Sequence, residues 1–276
     1  MNQEQKSMVP GFSAWLVYAT VAFFILMVGG ILLSVLFNSF AATWFGGWLP
    51  DAYTGKWYTF AVDEFGLWNV LLVTLIVAST VTAISLIVGI PAAYILARRS
   101  FRGKSLALGL LILPLMVPPI TYGIPLATML YQYQLAGTLF GVILANLVPA
   151  LPFVVLVMTP FIEQIDPNLE RAARMMGAST RQMFVRVLLP LAIPGILAAG
   201  LLVFVRTMAL FELTFLTAGA NTQTLVVSLY YAAFSSGIRP GQSIDAMALI
   251  YMVTTLVPLL LALRYINPVN MVTRGK

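Results

Sequence analysis

Neither cysteine nor histidine occurs among the 276 residues, and charged side chains make up only 9% of them. Without cysteine, disulfide frameworks and thiolate metal sites are excluded; without histidine, imidazole acid-base chemistry goes as well. No paired carboxylates take their place, which argues against a membrane enzyme. The scarcity of charge says most. A soluble domain of this size could not cover its surface with so few charges while 61% of its residues are hydrophobic, so the solvent around this chain is lipid.

Long charge-free runs locate the spans, since about 20 helical residues cross the hydrocarbon layer. Six are expected, at about 13–37, 67–97, 106–130, 138–161, 191–212 and 246–263, the polar pause Tyr131 to Gly137 dividing the third from the fourth. The first run is too long for the apolar part of a signal peptide and is read as a retained helix. The expected fold is an all-α, polytopic membrane protein forming a single transmembrane domain over 1–276.

The net charge is +6, and the placement of the basic residues gives the orientation. Lys6, Arg98, Arg99, Arg102, Lys104, Arg171, Arg174, Arg181, Arg186, Arg264, Arg274 and Lys276 fall on one side, twelve of the fifteen, while the opposite loops hold Lys56 and Arg239 with Asp51, Asp63, Glu64 and Asp245. Both termini are therefore expected in the cytoplasm. A basic excess spread over every inner loop, with no aromatic interleaving, also excludes nucleic acid as a partner.

The third span carries Pro114, Pro118, Pro119, Gly123 and Pro125. Each proline removes a backbone donor and crowds the carbonyl four residues earlier. A helix broken in lipid survives where protein or a wet cavity surrounds it, so this span either kinks for packing or lines a pathway.

Between the fourth and fifth spans the chain writes LERAARMMGASTRQMFVRVLLP, Leu169 to Pro190, with four arginines. Asp166 followed by Pro167 is a helix start, Gly177 a stop, and Ser179 with Gln182 a capping box opening a second helix. Leu169, Ala172, Ala173 and Met176 recur at helical spacing as one apolar face, and Glu170, Arg171 and Arg174 occupy the other. On periodicity alone this is either an amphipathic hairpin lying on lipid or a docking element for a cytoplasmic protein.

Ala172-Ala173, three residues, Gly177, nine residues, then Val187 to Pro190 resembles the EAA motif of ABC importer permeases, E-A-A, three residues, G, nine residues, I-x-L-P. The segments at Asn38 to Phe40, Lys56 to Tyr58, Arg98 to Lys104 and Leu151 to Val154 are similar to spermidine/putrescine-type permeases. The resemblance implies a permease subunit of a binding-protein-dependent importer in the bacterial inner membrane, with a coupling helix at 168–190. Glu170, Arg171, Ala172, Ala173, Met176, Gly177 and Ala178 would meet a partner ATPase. It further implies a second permease subunit in a heterodimer, two copies of the ATPase, which bind the ATP and magnesium, and an extracytoplasmic solute-binding protein. Arg171 stands at the motif's glutamate, with Glu170 one residue earlier. Either the ion pair with the ATPase is inverted, or Glu170 substitutes.

No nucleotide site is expected in this chain. Gly103-Lys104-Ser105 ends like a P-loop, but Arg98 stands where the loop needs its first glycine. Arg206 and Glu212 are the ionisable residues within or beside a span, and such residues are costly enough to be candidates for function. With Thr214, Tyr122 and Asn146 they are the expected pathway residues. The solute is expected to be small and polar, a sugar, a sugar derivative or a polyamine-like compound. One acid beside one arginine is poor provision for a polycation. The competing reading is an ion-coupled secondary transporter or channel, in which Arg206 and Glu212 handle the ion. Two further segments, the tryptophan-rich 38–66 and 220–243, are expected outside the membrane, where a binding protein would dock.

Overall fold

The computed structural model describes residues 12–44, 47–234 and 239–265. Lys6, Arg274 and Lys276, used above for orientation, lie outside the described residues, as does part of segment 220–243. Helices account for nearly all regular structure. Among the described residues no strand forms, and the one β-bridge joins Ala41 to Tyr53.

The helices are α1 Phe12–Phe40, α2 Lys56–Phe65, α3 Leu67–Arg98, α4 Lys104–Met116, α5 Pro119–Gln132, α6 Leu139–Glu163, α7 Pro167–Met175, α8 Thr180–Met183, α9 Leu189–Ala209, α10 Phe211–Thr217, α11 Leu225–Phe234 and α12 Gly241–Tyr265. Among the described residues, five helices are long and apolar enough to cross a membrane: α1, α3, α6, the continuous helix Thr180–Ala209, and α12. The pair α4 and α5, bent by 95°, makes six when counted as one span. That bend falls where the prolines predict it. Val117 is extended, Pro118 caps α5 and Pro119 is its first residue, so two successive residues lack the N–H that would continue α4.

The chain groups into two compact units, Met1–Ala61 with Gly237–Leu249, and Val62–Ser236 with Ile250–Lys276. In the first, α1 exposes Trp15, Phe23, Phe24 and Leu26, side chains suited to lipid. The segment after α1 folds back on its end. Thr54 N–H donates to the Phe40 carbonyl at 2.6 Å, the Trp57 indole to that of Ala41 at 2.6 Å, and the Ser39 and Tyr58 hydroxyls meet at 2.8 Å. Asn38 also bonds Asp245. Two aromatics of the tryptophan-rich segment 38–66, Trp57 and Tyr58, are thus tied to backbone or hydroxyl groups, whereas Trp48 is fully exposed.

In the second unit, α3, α6 and α9 form the core. Val77, Val81, Val154, Met158, Ala199 and Val203 are all buried there. Lipid tails are as apolar as these side chains, so the association rests on close packing rather than on exclusion of water. The sequence supplies it with small residues: a Cβ added at Gly89 would lie 2.6 Å from Val154 Cγ1. Segment 220–243 is not wholly an outer loop. Within it α11 packs against α3, with Leu225 buried and its N–H donating to Thr74 Oγ1 at 2.8 Å. Ten apolar residues are too few to cross a bilayer.

Candidate functional site

The segment 166–188 folds as its local chemistry dictates. The Asp166 carboxylate accepts the Asn168 N–H at 2.9 Å, and Pro167 opens α7. Gly177 turns the chain at φ +84°, a conformation open to glycine without strain. Ser179 Oγ then accepts from Gln182 N–H at 3.3 Å while Gln182 Oε1 accepts from Ser179 N–H at 2.9 Å, completing the capping box. From Thr180 the helix does not stop before the fifth span. It passes through a π-helical turn, Phe184–Leu188, straight into α9. Pro190 has no N–H for the carbonyl four residues earlier, and the wider turn, closed by Leu189 N–H to the Phe184 carbonyl, absorbs that loss. The fifth span, expected from about 191, therefore belongs to a helix beginning at Thr180.

Glu170 is not on an outer face. Its side chain is 8% exposed, with Oε1 accepting from Arg98 Nε at 2.7 Å and Oε2 from the Tyr94 hydroxyl at 2.8 Å. Arg98 Nη2 also donates to the Ile165 carbonyl at 2.6 Å. The carboxylate thereby bolts α7 to the end of α3, where Tyr94 stacks edge-on with Phe184. The face assignment expected from periodicity is corrected accordingly. Glu170 and Ala173 are buried, while Leu169, Ala172 and Met176 of the supposed apolar face are exposed, as are Arg171, Arg174, Met175 and Gly177. A carboxylate goes inward when a guanidinium and a hydroxyl satisfy it, and both partners stand more than 70 residues away in the chain. Ala178 is half-buried. A cleft of about 220 Å³ opens beside Arg99, Arg171 and Arg174, and a second, of about 370 Å³, runs between Met176 and Arg186.

The five expected pathway residues come from α5, α6, α9 and α10. Asn146 is buried on α6, its Nδ2 donating to the Val142 carbonyl at 2.8 Å and to Thr214 Oγ1 of α10 at 3.2 Å. Its Oδ1 has no hydrogen-bond partner, nor has the buried Tyr122 hydroxyl on α5. Asn146, Arg206 and Thr207 line a cavity of about 10 Å³, room for about one water molecule. The Arg206 guanidinium lies 4.9 Å over the Phe153 ring, a cation–π contact that sequence reading did not identify.

The six-residue spacing of Arg206 and Glu212 does not translate into an angle on one straight helix. The helix breaks at Leu210, whose ψ of 96° is extended, and Glu212 sits in the first turn of α10, where the helix dipole favours an acid.

A family model described as "Binding-protein-dependent transport system inner membrane component" matches residues 85–269. The "Probable molybdenum ABC transporter permease protein" of Haloferax volcanii is 37% identical over 172 residues, 59% of this chain and 64% of its own length, just under two thirds. The molybdenum transport system permease protein ModB of Haemophilus influenzae is 34% identical, with 64% of this chain and 84% of that protein aligned. The spermidine/putrescine transport system permease protein PotC of Escherichia coli is 26% identical over 81% of this chain and 83% of its own. Among solved structures, a chain of a bacterial ABC transporter involved in import of the acidic polysaccharide alginate superposes with TM-score 0.75. It covers 97% of this chain and 99% of that one at 17% identity, a likeness of fold.

Proposed function

This chain belongs to the family of binding-protein-dependent transport system inner membrane components, and on that premise we propose that it forms half of the translocation pathway of an ATP-driven importer. A second permease subunit supplies the other half, two copies of a cytoplasmic ATPase bind ATP and magnesium, and an extracytoplasmic binding protein delivers the solute. The observation that carries this reading is the hairpin 166–188. It is held to α3 by the Arg98–Glu170 pair and is continuous with α9 through Thr180–Ala209. A displacement imposed on α7 reaches two of the three core helices, and α9 carries Arg206 at its other end.

Reconstituted vesicles containing the partner subunits test this reading. Uptake is expected to require ATP and the binding protein, and uptake driven by an ion gradient in the isolated chain would favour the secondary-transporter alternative instead.

For the solute, we infer an oxyanion, such as the molybdate suggested by the names of relatives, over a sugar or a polyamine. Arg206 offers positive charge at the small cavity, and the Tyr122 hydroxyl, which has no partner, offers a hydrogen-bond donor, with Glu212 as the acid of the pathway set. A polycation would meet Arg206 with little to offset the repulsion. Arg206→Gln is expected to lower uptake of the anion about tenfold, equivalent to about 1.4 kcal/mol, with Arg206→Lys retaining part of it. Initial uptake rates of labelled molybdate, with spermidine as the comparison solute, measure this. Faster spermidine uptake by wild-type vesicles would reverse the assignment.

A further inference from the structure

The family's motif provides a glutamate for the ATPase, and in this chain no carboxylate of α7 is available for that contact. We propose that docking is inverted here: the cleft between the end of α3 and α7 receives an acidic side chain from the partner ATPase, held by Arg99, Arg171 and Arg174. This rests on the importer reading above.

The nearby charges decide the polarity. Glu170 is consumed by Arg98 and Tyr94, and the Asp166 carboxylate by the N-terminus of α7. Glu163, in the last turn of α6, is the remaining acid of this region. Against it stand three exposed arginines lining one cleft of about 220 Å³; among the described residues Arg171 is held by Asn168 Oδ1 at 3.2 Å and Arg174 by a 3.5 Å contact to the Tyr94 hydroxyl. Arg98 is not free to join them, since it bonds both Glu170 and Ile165. A guanidinium cluster of this kind recognises carboxylates with paired, geometrically fixed hydrogen bonds. A carboxylate on the hairpin would meet repulsion from the same acidic ATPase surface.

The apolar side fits a protein partner better than a lipid headgroup. Met175 and Met176, 89% and 83% exposed, end α7 beside the arginines, and Met176 borders the second cleft, of about 370 Å³. Methionines at this density of exposure suit an adaptable protein contact, so the arginines supply polarity and the methionines the dry part of the interface.

The test uses the whole transporter purified through a tag on this chain. In Arg171→Lys and Arg174→Lys variants, a carbodiimide is expected to join the new amine to an aspartate or glutamate of the ATPase, identified by mass spectrometry of the cross-linked peptide. In the combined Arg171→Glu and Arg174→Glu variant, ATPase retention at raised salt is expected to fall at least about tenfold, with the thermal unfolding of the chain unchanged. Reversing the cross-linked ATPase acid to lysine is expected to restore it. Retention unaffected by the reversals overturns the proposal, and loss of copurifying anionic phospholipid in that case assigns the cleft to lipid. Failure of the ATPase to accompany even the wild-type chain would instead overturn the importer reading itself.

Discussion

Glu170→Ala is expected to destabilise the chain by about 3–5 kcal/mol, because it leaves the Arg98 guanidinium, 11% exposed, without its counter-ion. Tyr94 loses its acceptor in the same step. Glu170→Gln keeps an acceptor for the tyrosine and a polar neighbour for Arg98, and should fall between alanine and wild type. Removing both charges, as in Glu170→Leu with Arg98→Met, is expected to recover much of the loss, since a buried ion pair is costly mainly when broken on one side. Thermal unfolding of wild type, Glu170→Leu, Arg98→Met and the double variant gives the coupling energy directly. Uptake separates stability from transmission. If the pair carries motion from α7 to α3, the doubly apolar variant folds well yet couples ATP hydrolysis to uptake less efficiently than wild type. A Glu170→Ala protein as stable as wild type, but unable to hold the ATPase, would place the carboxylate at the docking surface instead.

The hairpin's ends were legible because their chemistry is local. Asp166 and Pro167, Gly177, and the Ser179–Gln182 pair each act within three residues, so spacing alone revealed them. Five long apolar helices were legible from run lengths, a sixth span depends on counting the bent pair α4 and α5 as one, and the 95° break was legible from Pro118 and Pro119. What escaped depends on partners remote in the chain. Glu170 looked like a surface acid because Arg98 and Tyr94 lie 72 and 76 residues earlier. The burial of Ala173 and the exposure of Ala172 followed from the same latch. Leu210 interrupts the fifth span with neither proline nor glycine to announce it, and α11, too short for a span, takes its place through contacts with α3, α9 and α10. Of the pathway residues, Asn146 and Thr214 proved to be bonded partners across 68 residues. Their polarity was visible in the sequence, but their pairing was not.

That pairing sits beside a close contact between two glycines. The turn before α6 and the loop after α10 meet there: Gly137 N–H donates to the Thr217 carbonyl at 2.8 Å, and the Thr222 side-chain hydroxyl donates to the Gly137 carbonyl at 3.1 Å. A Cβ added at Gly219 would stand 2.9 Å from Gly137 Cα and 3.0 Å from its carbonyl oxygen. Neither atom can swing away as a side chain would, so the two segments must separate. Gly219→Val is therefore expected to cost about 1–3 kcal/mol or more and to draw α10 off α5 and α6, breaking the Asn146–Thr214 bond. Uptake should fall further than in Asn146→Ala, which removes the amide but leaves the helices in place. Gly219→Ala should show the same loss in smaller measure, and Gly109→Ala, where a Cβ meets nothing within 4 Å, should show none. Thermal unfolding and initial uptake rates across the series measure this. A Gly219→Val protein with wild-type stability and uptake would mean that the loops have slack, and that the position of Thr214 against Asn146 is held by helix packing alone.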